Sequence, residues 1–310
     1  MNKNIRVVFM GTPDFSVPVL EGLIENYNVV AVVTQPDAQV GRNGKINESP
    51  VKKVANNANI DVLQPTKIRN EYQSILDYNP DIIITCAYGQ IIPKEIIDYP
   101  KYKCINVHAS LLPKYRGGAP IHHAIINGED KTGITIMHMD CGMDSGDILT
   151  TREIPIEYTD TAESLFNKLR IIGRDLLLET LPSILDETIN PIKQNEEEIT
   201  FAYNIKPEDE IINFNKTTRE VYNQIRGLNS WPGSYTILND KRVKVWRSEE
   251  REYTGSEEVG TIVALTDGLG VKTLDGQIIL TEIQPEGKKR MKASDFINGC
   301  NRNDLLNTKL

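Results

Sequence analysis

Only four cysteines occur in 310 residues, Cys86, Cys104, Cys141 and Cys300, and none stands at the spacing of a disulfide framework or a zinc site. That scarcity argues against a disulfide-stapled fold and fits reduced thiols in a cytosol. Long apolar runs are missing too. No stretch approaches the roughly 20 residues that cross a bilayer, and the amino terminus enters the broken run Ile5 to Met10, too short for a signal peptide. The histidines His108, His122, His123 and His138 form no H-E-x-x-H or comparable ligand motif, so no metal is expected. The G-x-S-x-G elbow of serine hydrolases is absent. The first turn, Gly11-Thr-Pro-Asp14, is not G-x-G-x-x-G and gives no ground for a dinucleotide. No internal repeat or low-complexity segment is evident.

A chain of this length exceeds a typical single domain, so two domains are the starting expectation. Ile5 to Met10 reads as a buried strand, followed by a helix carrying Val17, Leu20 and Leu23. Val29 to Thr34 is a second strand. Helices near Pro50 to Asn57 and Ile68 to Tyr78 alternate with the short run Asp61 to Leu63 and the strand Ile82 to Ala87. This alternation predicts an α/β fold with a doubly wound, mostly parallel Rossmann-like sheet, whose ligands bind at the carboxyl ends of strands. The segment Gln35 to Ser49 lacks apolar periodicity and reads as a mobile loop. Leu165, Leu169, Ile172, Leu176 and Leu177 give Thr161 to Leu185 a helical core face. The polar run from Asp186 opens a linker, and Thr217 to Leu228 reads as a further helix. From Ser234, five short β-branched runs separated by Gly/Asp turns predict a small OB-like β-barrel. The expected domains are 1–188, a linker at 189–205, and 206–310.

Cys104 to Leu149 is the most informative stretch. Asn106 and His108 lie two apart at the end of an apolar run, so on a strand their side chains project from one face. Ser110 to Pro113 and Gly117-Gly118 then form a loop. Asp144, in the turn-rich run Asp140 to Asp147 after the β-branched segment Thr132 to Met137, can fold back toward the same place. An imidazole exchanges a proton near neutral pH, and a carboxylate beside it fixes its tautomer. A primary amide donates toward an oxygen that becomes negative in a tetrahedral intermediate. Together these suit acyl transfer. Without an evident nucleophile, direct transfer from donor to amine is expected. On spacing alone a histidine at a strand end is commonly structural, and Asp140 and Asp147 compete with Asp144 for the carboxylate role.

Asn106-Val-His108, Ser110-Leu-Leu-Pro113, Tyr115-Arg-Gly-Gly-Ala-Pro120 and Met139-Asp-Cys-Gly-Met-Asp-Ser-Gly-Asp147 resemble the signature of the 10-formyltetrahydrofolate-dependent formyltransferases. The likeness extends from Phe9-Met-Gly-Thr-Pro-Asp-Phe15 through Gln35-Pro-Asp37 and Ser49-Pro-Val-Lys52 to Trp231-Pro-Gly233. It implies a cytoplasmic, monomeric transferase that moves the formyl group of 10-formyltetrahydrofolate to the α-amino group of initiator methionyl-tRNA, for translation initiation. It also implies that Asn106, His108 and Asp144 are the catalytic set. Ser110, Leu111, Leu112 and Pro113 would line the folate site, with Tyr88, Gly89, Gln90 and Ile91 as another wall and Asp140 alongside. In the resembling family the 35–49 insertion helps hold the tRNA acceptor end, a role that falls here to Arg42 and Lys45.

The formal charge of -8 argues mildly against a general nucleic-acid binder, yet the charge is unevenly spread. Residues 206–310 hold 16 basic and 16 acidic side chains, so the deficit lies in residues 1–205. Lys288, Lys289 and Arg290 cluster, while Arg242, Lys244 and Trp246 share the outer face of a strand whose inner face is Val243 and Val245. A basic stripe with an aromatic suits phosphates and bases, although solvated strand faces often look the same. Two rivals remain: a sister transferase acting on a small amine, such as glycinamide ribonucleotide or an amino sugar nucleotide, and a folate- or RNA-binding protein without turnover.

Overall fold

The computed structural model describes residues 2–40 and 45–310. Two compact units are formed, one from residues 1–120, 132–154 and 166–203, the other from 121–131, 155–165 and 204–310.

The first unit is built on strands β1 (Asn2–Gly11), β2 (Tyr27–Val33), β5 (Val62–Leu63), β6 (Ile82–Cys86), β7 (Cys104–His108), β8 (Lys131–His138) and β9 (Ile148–Pro155), in the order β5-β2-β1-β6-β7-β8-β9. All pairings from β5 to β7 are parallel, and β8 turns antiparallel to β7. Helices cover both faces of a parallel sheet, which is why Ile82 to Cys86 is buried at every residue, with Thr85 its one hydroxyl. Helix α1 (Val17–Asn26) and helix α2 (Pro50–Asn57) match expectation. The Ser49 hydroxyl caps α2 by accepting from the Lys52 N–H at 3.0 Å.

Three features differ from the expected pattern. Ile68 to Tyr78 is not one helix but two turns, α3 (Ile68–Glu71) and α4 (Gln73–Leu76). The segment Gln35 to Ser49 is not wholly loop. Strands β3 (Ala38–Val40) and β4 (Lys45–Asn47) pair antiparallel, held by backbone bonds that need no apolar periodicity. Residues 189–203, read as linker from their polarity, are stitched to the first unit. Ile192 and Ile148 exchange two backbone hydrogen bonds of 2.8 Å, and Thr200 to Ala202 bonds alongside Arg116.

After α5 (Lys94–Ile97) and α6 (Pro120–Ile126), α7 (Ala162–Leu185) buries Leu165, Leu169, Leu176 and Leu177 as its spacing requires. The second unit is an antiparallel sheet in the order β10-β11-β14-β13-β12, from β10 (Ser234–Leu238), β11 (Lys241–Arg251), β12 (Ile262–Leu265), β13 (Leu269–Lys272) and β14 (Gln277–Pro285). A sixth strand, β15 (Met291–Lys292), pairs with β14. Helix α8 (Thr218–Gly227) begins with a reciprocal Thr217/Glu220 capping box and packs Val221, Tyr222 and Ile225 into the core of this unit. The guanidinium of Arg226 donates to the carbonyls of Glu157 and Asp160, Tyr158 stacks on Tyr222, and His122 Nδ1 lies 2.8 Å from the Gly227 oxygen. Segments 121–131 and 155–165 thereby join α8.

Candidate active site

The carboxyl end of β7 carries Asn106 and His108, and β6 lies beside it with Thr85 paired to Asn106. After β8, the chain turns through residues 139–147 and brings Asp144 back to them. Asp144 has a left-handed φ of 47°, which asparagine and aspartate tolerate better than bulky residues and which lets the turn present its carboxylate inward.

The trio is joined by direct contacts. Asn106 Nδ2 donates to Asp144 Oδ1 at 3.3 Å, and Thr85 Oγ1 donates to Asn106 Oδ1 at 2.8 Å. Because the carboxylate only accepts, the amide orientation follows, and Nδ2 keeps one further N–H for an acyl oxygen. His108 is 6% exposed, its Nε2 sits 3.0 Å from the Tyr115 carbonyl oxygen, and its Nδ1 is 3.7 Å from Asp144 Oδ2. A carbonyl only accepts, so Nε2 carries the proton in the neutral ring and Nδ1 is the free base. Asp144 Oδ2 is held further by the Gly117 N–H at 2.9 Å. Gly117 has φ +120°, and a Cβ there would lie 2.7 Å from the Ala202 oxygen, so the loop requires glycine at this point.

Cys86 and Cys104, the two cysteines inside the sheet, offer no ready nucleophile. Burial pushes the Cys86 thiol up to about 12 and raises that of Cys104 further, and both side chains are fully enclosed. Among the described residues all four cysteines are unpaired, and no group of three or more potential metal ligands assembles.

The other expected folate-site residues fall into two sets. Leu111 and Pro113 are half-buried, whereas Leu112 is buried and donates its N–H to Thr135 Oγ1 at 3.1 Å. Ser110 is enclosed, its hydroxyl given to the Lys114 carbonyl at 2.7 Å. In the wall at 87–93, Gly89 and Ile91 are exposed, while the Tyr88 ring lies in the core and its hydroxyl is raised to about 12 by burial. The Gln90 amide accepts from the Ile68 N–H and donates to the Gln35 side chain and the Pro65 carbonyl. Tyr88, through its carbonyl, and Gln90, through its side chain, therefore brace this segment. Asp140 is exposed and accepts from the Gly142 N–H and the Ser145 hydroxyl, closing its own turn.

Of the expected tRNA contacts, Arg42 lies outside the described residues, and for Lys45 only the backbone, in β4, is described. On β11, Val243 and Val245 are buried and Arg242 is exposed, as the alternation requires. Arg242 lies 3.6 Å over the Tyr235 ring, and Lys244 and Arg290 approach Trp246 at 5.5 and 5.1 Å. Lys288 sits apart, 5.9 Å from Phe296, and Lys289 is exposed. Arg290 is bound by both oxygens of Glu282, which offsets its charge. Trp231, from the motif Trp231-Pro-Gly233, is 74% exposed, and its ring lies 6.3 Å from that of His122.

Sequence reasoning overlooked Thr85, the Tyr115 carbonyl, the Gly117 N–H, Arg116 and Gln194. Tyr115 to Gly117 belong to the motif Tyr115-Arg-Gly-Gly-Ala-Pro120 and were findable there. Gln194 had no local signal.

A mostly parallel sheet that brings an amide, an imidazole and a carboxylate together at the end of β7 is an arrangement suited to group transfer. Residues 3–181 match the formyl transferase family and residues 204–301 match the formyl transferase C-terminal domain, and the chain belongs to the formyl transferase family. It is similar to the methionyl-tRNA formyltransferase of Bacillus thuringiensis subsp. konkukian (strain 97-27), 56% identical over 300 residues that cover 95% of this chain and 96% of that protein. In fold it is similar to an N-formyltransferase from Helicobacter canadensis solved with folinic acid and dTDP-3-aminofucose, with a TM-score of 0.68, 24% identity, and 89% and 98% of the two chains covered. It is also similar to a methionyl-tRNA formyltransferase from Clostridium thermocellum, with a TM-score of 0.56, 22% identity, and 80% and 94% covered.

Proposed function

We infer that this enzyme transfers the formyl group of 10-formyltetrahydrofolate to the α-amino group of initiator methionyl-tRNA, giving N-formylmethionyl-tRNA for translation initiation. The observation that carries the chemistry is the meeting of Asn106, His108 and Asp144 at the end of β7. The likeness to methionyl-tRNA formyltransferases over nearly the whole chain supports the acceptor.

In this reading, the spare Asn106 N–H holds the formyl oxygen as it becomes negative. The amine nitrogen forms a bond to the formyl carbon, the bond from that carbon to N10 breaks, and His108 Nδ1 takes a proton from the amine and returns one to N10. Asp144 orients the imidazole and supports its cationic form. Leu111, Pro113, Gly89 and Ile91 contact the folate donor, while Ser110, Leu112, Tyr88, Gln90 and Asp140 keep that pocket in shape. Arg242, Lys244, Lys288, Lys289 and Arg290 supply phosphate contacts, together with Arg42 and Lys45. Residues 1–188 carry the catalytic role and 206–310 the tRNA-binding role, in a cytoplasmic monomer. Among the described residues no helix is long and apolar enough to cross a membrane.

The test is formylation by purified protein with radiolabelled 10-formyltetrahydrofolate, charged initiator tRNA and small-amine acceptors in parallel. Label in the aminoacyl fraction supports the reading. Label only in glycinamide ribonucleotide or an amino sugar nucleotide overturns it.

A further inference from the structure

Gln194 lies in the segment whose composition reads as linker, is half-buried, and spends its whole amide on the surroundings of the candidate active site. Its Nε2 donates to the backbone oxygens of Asp144 and Gly146, each at 2.8 Å. Its Oε1 accepts from Arg116 Nε at 3.0 Å and from the Arg116 terminal nitrogen at 2.8 Å. Guanidinium groups only donate and carbonyls only accept, so the amide has a single orientation that satisfies all four contacts. Arg116 is itself buried and stands between the two residues that hold the catalytic pair. The Tyr115 carbonyl fixes His108 Nε2, and the Gly117 N–H fixes Asp144 Oδ2. The same segment clamps this turn again: the Thr200 hydroxyl accepts from the Tyr115 N–H at 2.9 Å, and the Thr200 and Ala202 backbones bond to Arg116.

We propose that Gln194 is a positioning residue that locks the turn bearing Asp144 to the turn bearing Tyr115 and Gly117, and so sets the separation of His108 and Asp144. The proposal rests on the functional reading above. Both turns depend on this amide because each carries residues with positive φ, Asp144 at 47° and Tyr115 at 61°, conformations that persist only where contacts enforce them. A shift of either turn moves the carboxylate away from the imidazole while leaving β7, which carries His108, in place.

Gln194→Glu separates this role from a merely structural one. A carboxylate still accepts from Arg116, so the fold keeps that bond, but it repels the Asp144 and Gly146 oxygens instead of donating to them. Gln194→Met removes both sides. Formylation of charged initiator tRNA is measured for wild type, for both variants, and for each combined with Asp144→Asn, under single-turnover and steady-state conditions. Gln194→Glu should lower kcat about 10- to 100-fold, the scale of ångström-level misplacement. Both KM values should stay within about twofold, and Tm within about 3 °C. Added to Asp144→Asn it should cost no more than about a further twofold, because two changes acting through one group do not add. Wild-type kcat in Gln194→Glu overturns the lock, as does a loss confined to KM or one that multiplies with Asp144→Asn. Activity lost only in Gln194→Met and in step with Tm makes Gln194 structural and likewise overturns it. A wild-type chain that formylates no tRNA overturns the functional reading instead, and the lock with it.

Discussion

At the scale of single residues, the hydrogen-bond chemistry around His108 leaves little freedom. Nε2 is committed to the Tyr115 oxygen, so in the neutral ring Nδ1 is the unprotonated nitrogen, and it lies 3.7 Å from Asp144 Oδ2. Three substitutions follow. His108→Ala and Asp144→Asn should each lower kcat by about 10²- to 10⁴-fold, the range for a general acid-base group and its partner. Replacing Asn106 with Leu should cost about 10²- to 10³-fold, as for an oxyanion donor. In all three, thermal melts should move far less than turnover, and equal losses of Tm and activity would favour a structural role. Asn106 and His108 were legible as a pair in the sequence because a strand period of two puts them on one face. The approach of Asp144 was only suggested by turn chemistry, and Asp140 and Asp147 competed with it. What singles out Asp144 is a left-handed backbone and the Gly117 N–H, neither of which a local pattern encodes.

At the scale of elements, β8 ends in a histidine that titrates out of the ordinary range. Burial, then the nearby Lys103, lower His138 to about 4, with Asp147 opposing in part. In the unfolded chain this imidazole takes a proton as the pH falls through about 6.5, whereas the folded chain keeps it neutral until near 4. Between those values the unfolded state binds more protons, so stability is complete above pH 6.5 and declines as the pH falls toward 4. His138→Gln should flatten the fall of Tm between pH 6.5 and 4.5, and parallel curves for the two proteins would contradict the shift. At the start of α8, Thr217→Ala should destabilise the second unit by about 1 kcal/mol, read from denaturant melts. Elements whose apolar spacing is strong, such as α7 and Ile82 to Cys86, were legible in advance. The β3–β4 pairing and the break between α3 and α4 were not, because one rests on backbone pairing alone and the other interrupts a pattern that looks continuously helical.

At the scale of the whole molecule, the division of the chain departs from a cut at one linker. Segments 121–131 and 155–165 belong with 204–310, held by Arg226, the Tyr158–Tyr222 stack and His122. Long-range assembly of this kind leaves no trace in composition, which shifts only near Asp186. Deleting 206–310 would strip partners from those segments, so charge substitutions on β11 test the tRNA reading more cleanly. Arg242→Ala and Lys244→Ala should raise the KM for tRNA and leave that for the folate donor unchanged. Each should reduce the slope of log kcat/KM against log salt by about one for every phosphate the side chain no longer neutralises.

The most direct measurement is the rate of formyl transfer from labelled 10-formyltetrahydrofolate to charged initiator tRNA by the wild-type chain and by Asp144→Asn, at matched folded fraction. A fast wild-type reaction that falls by two or more orders of magnitude in the variant is the expected result. Equal rates in the two proteins, or label passing only to a small amine, would contradict it.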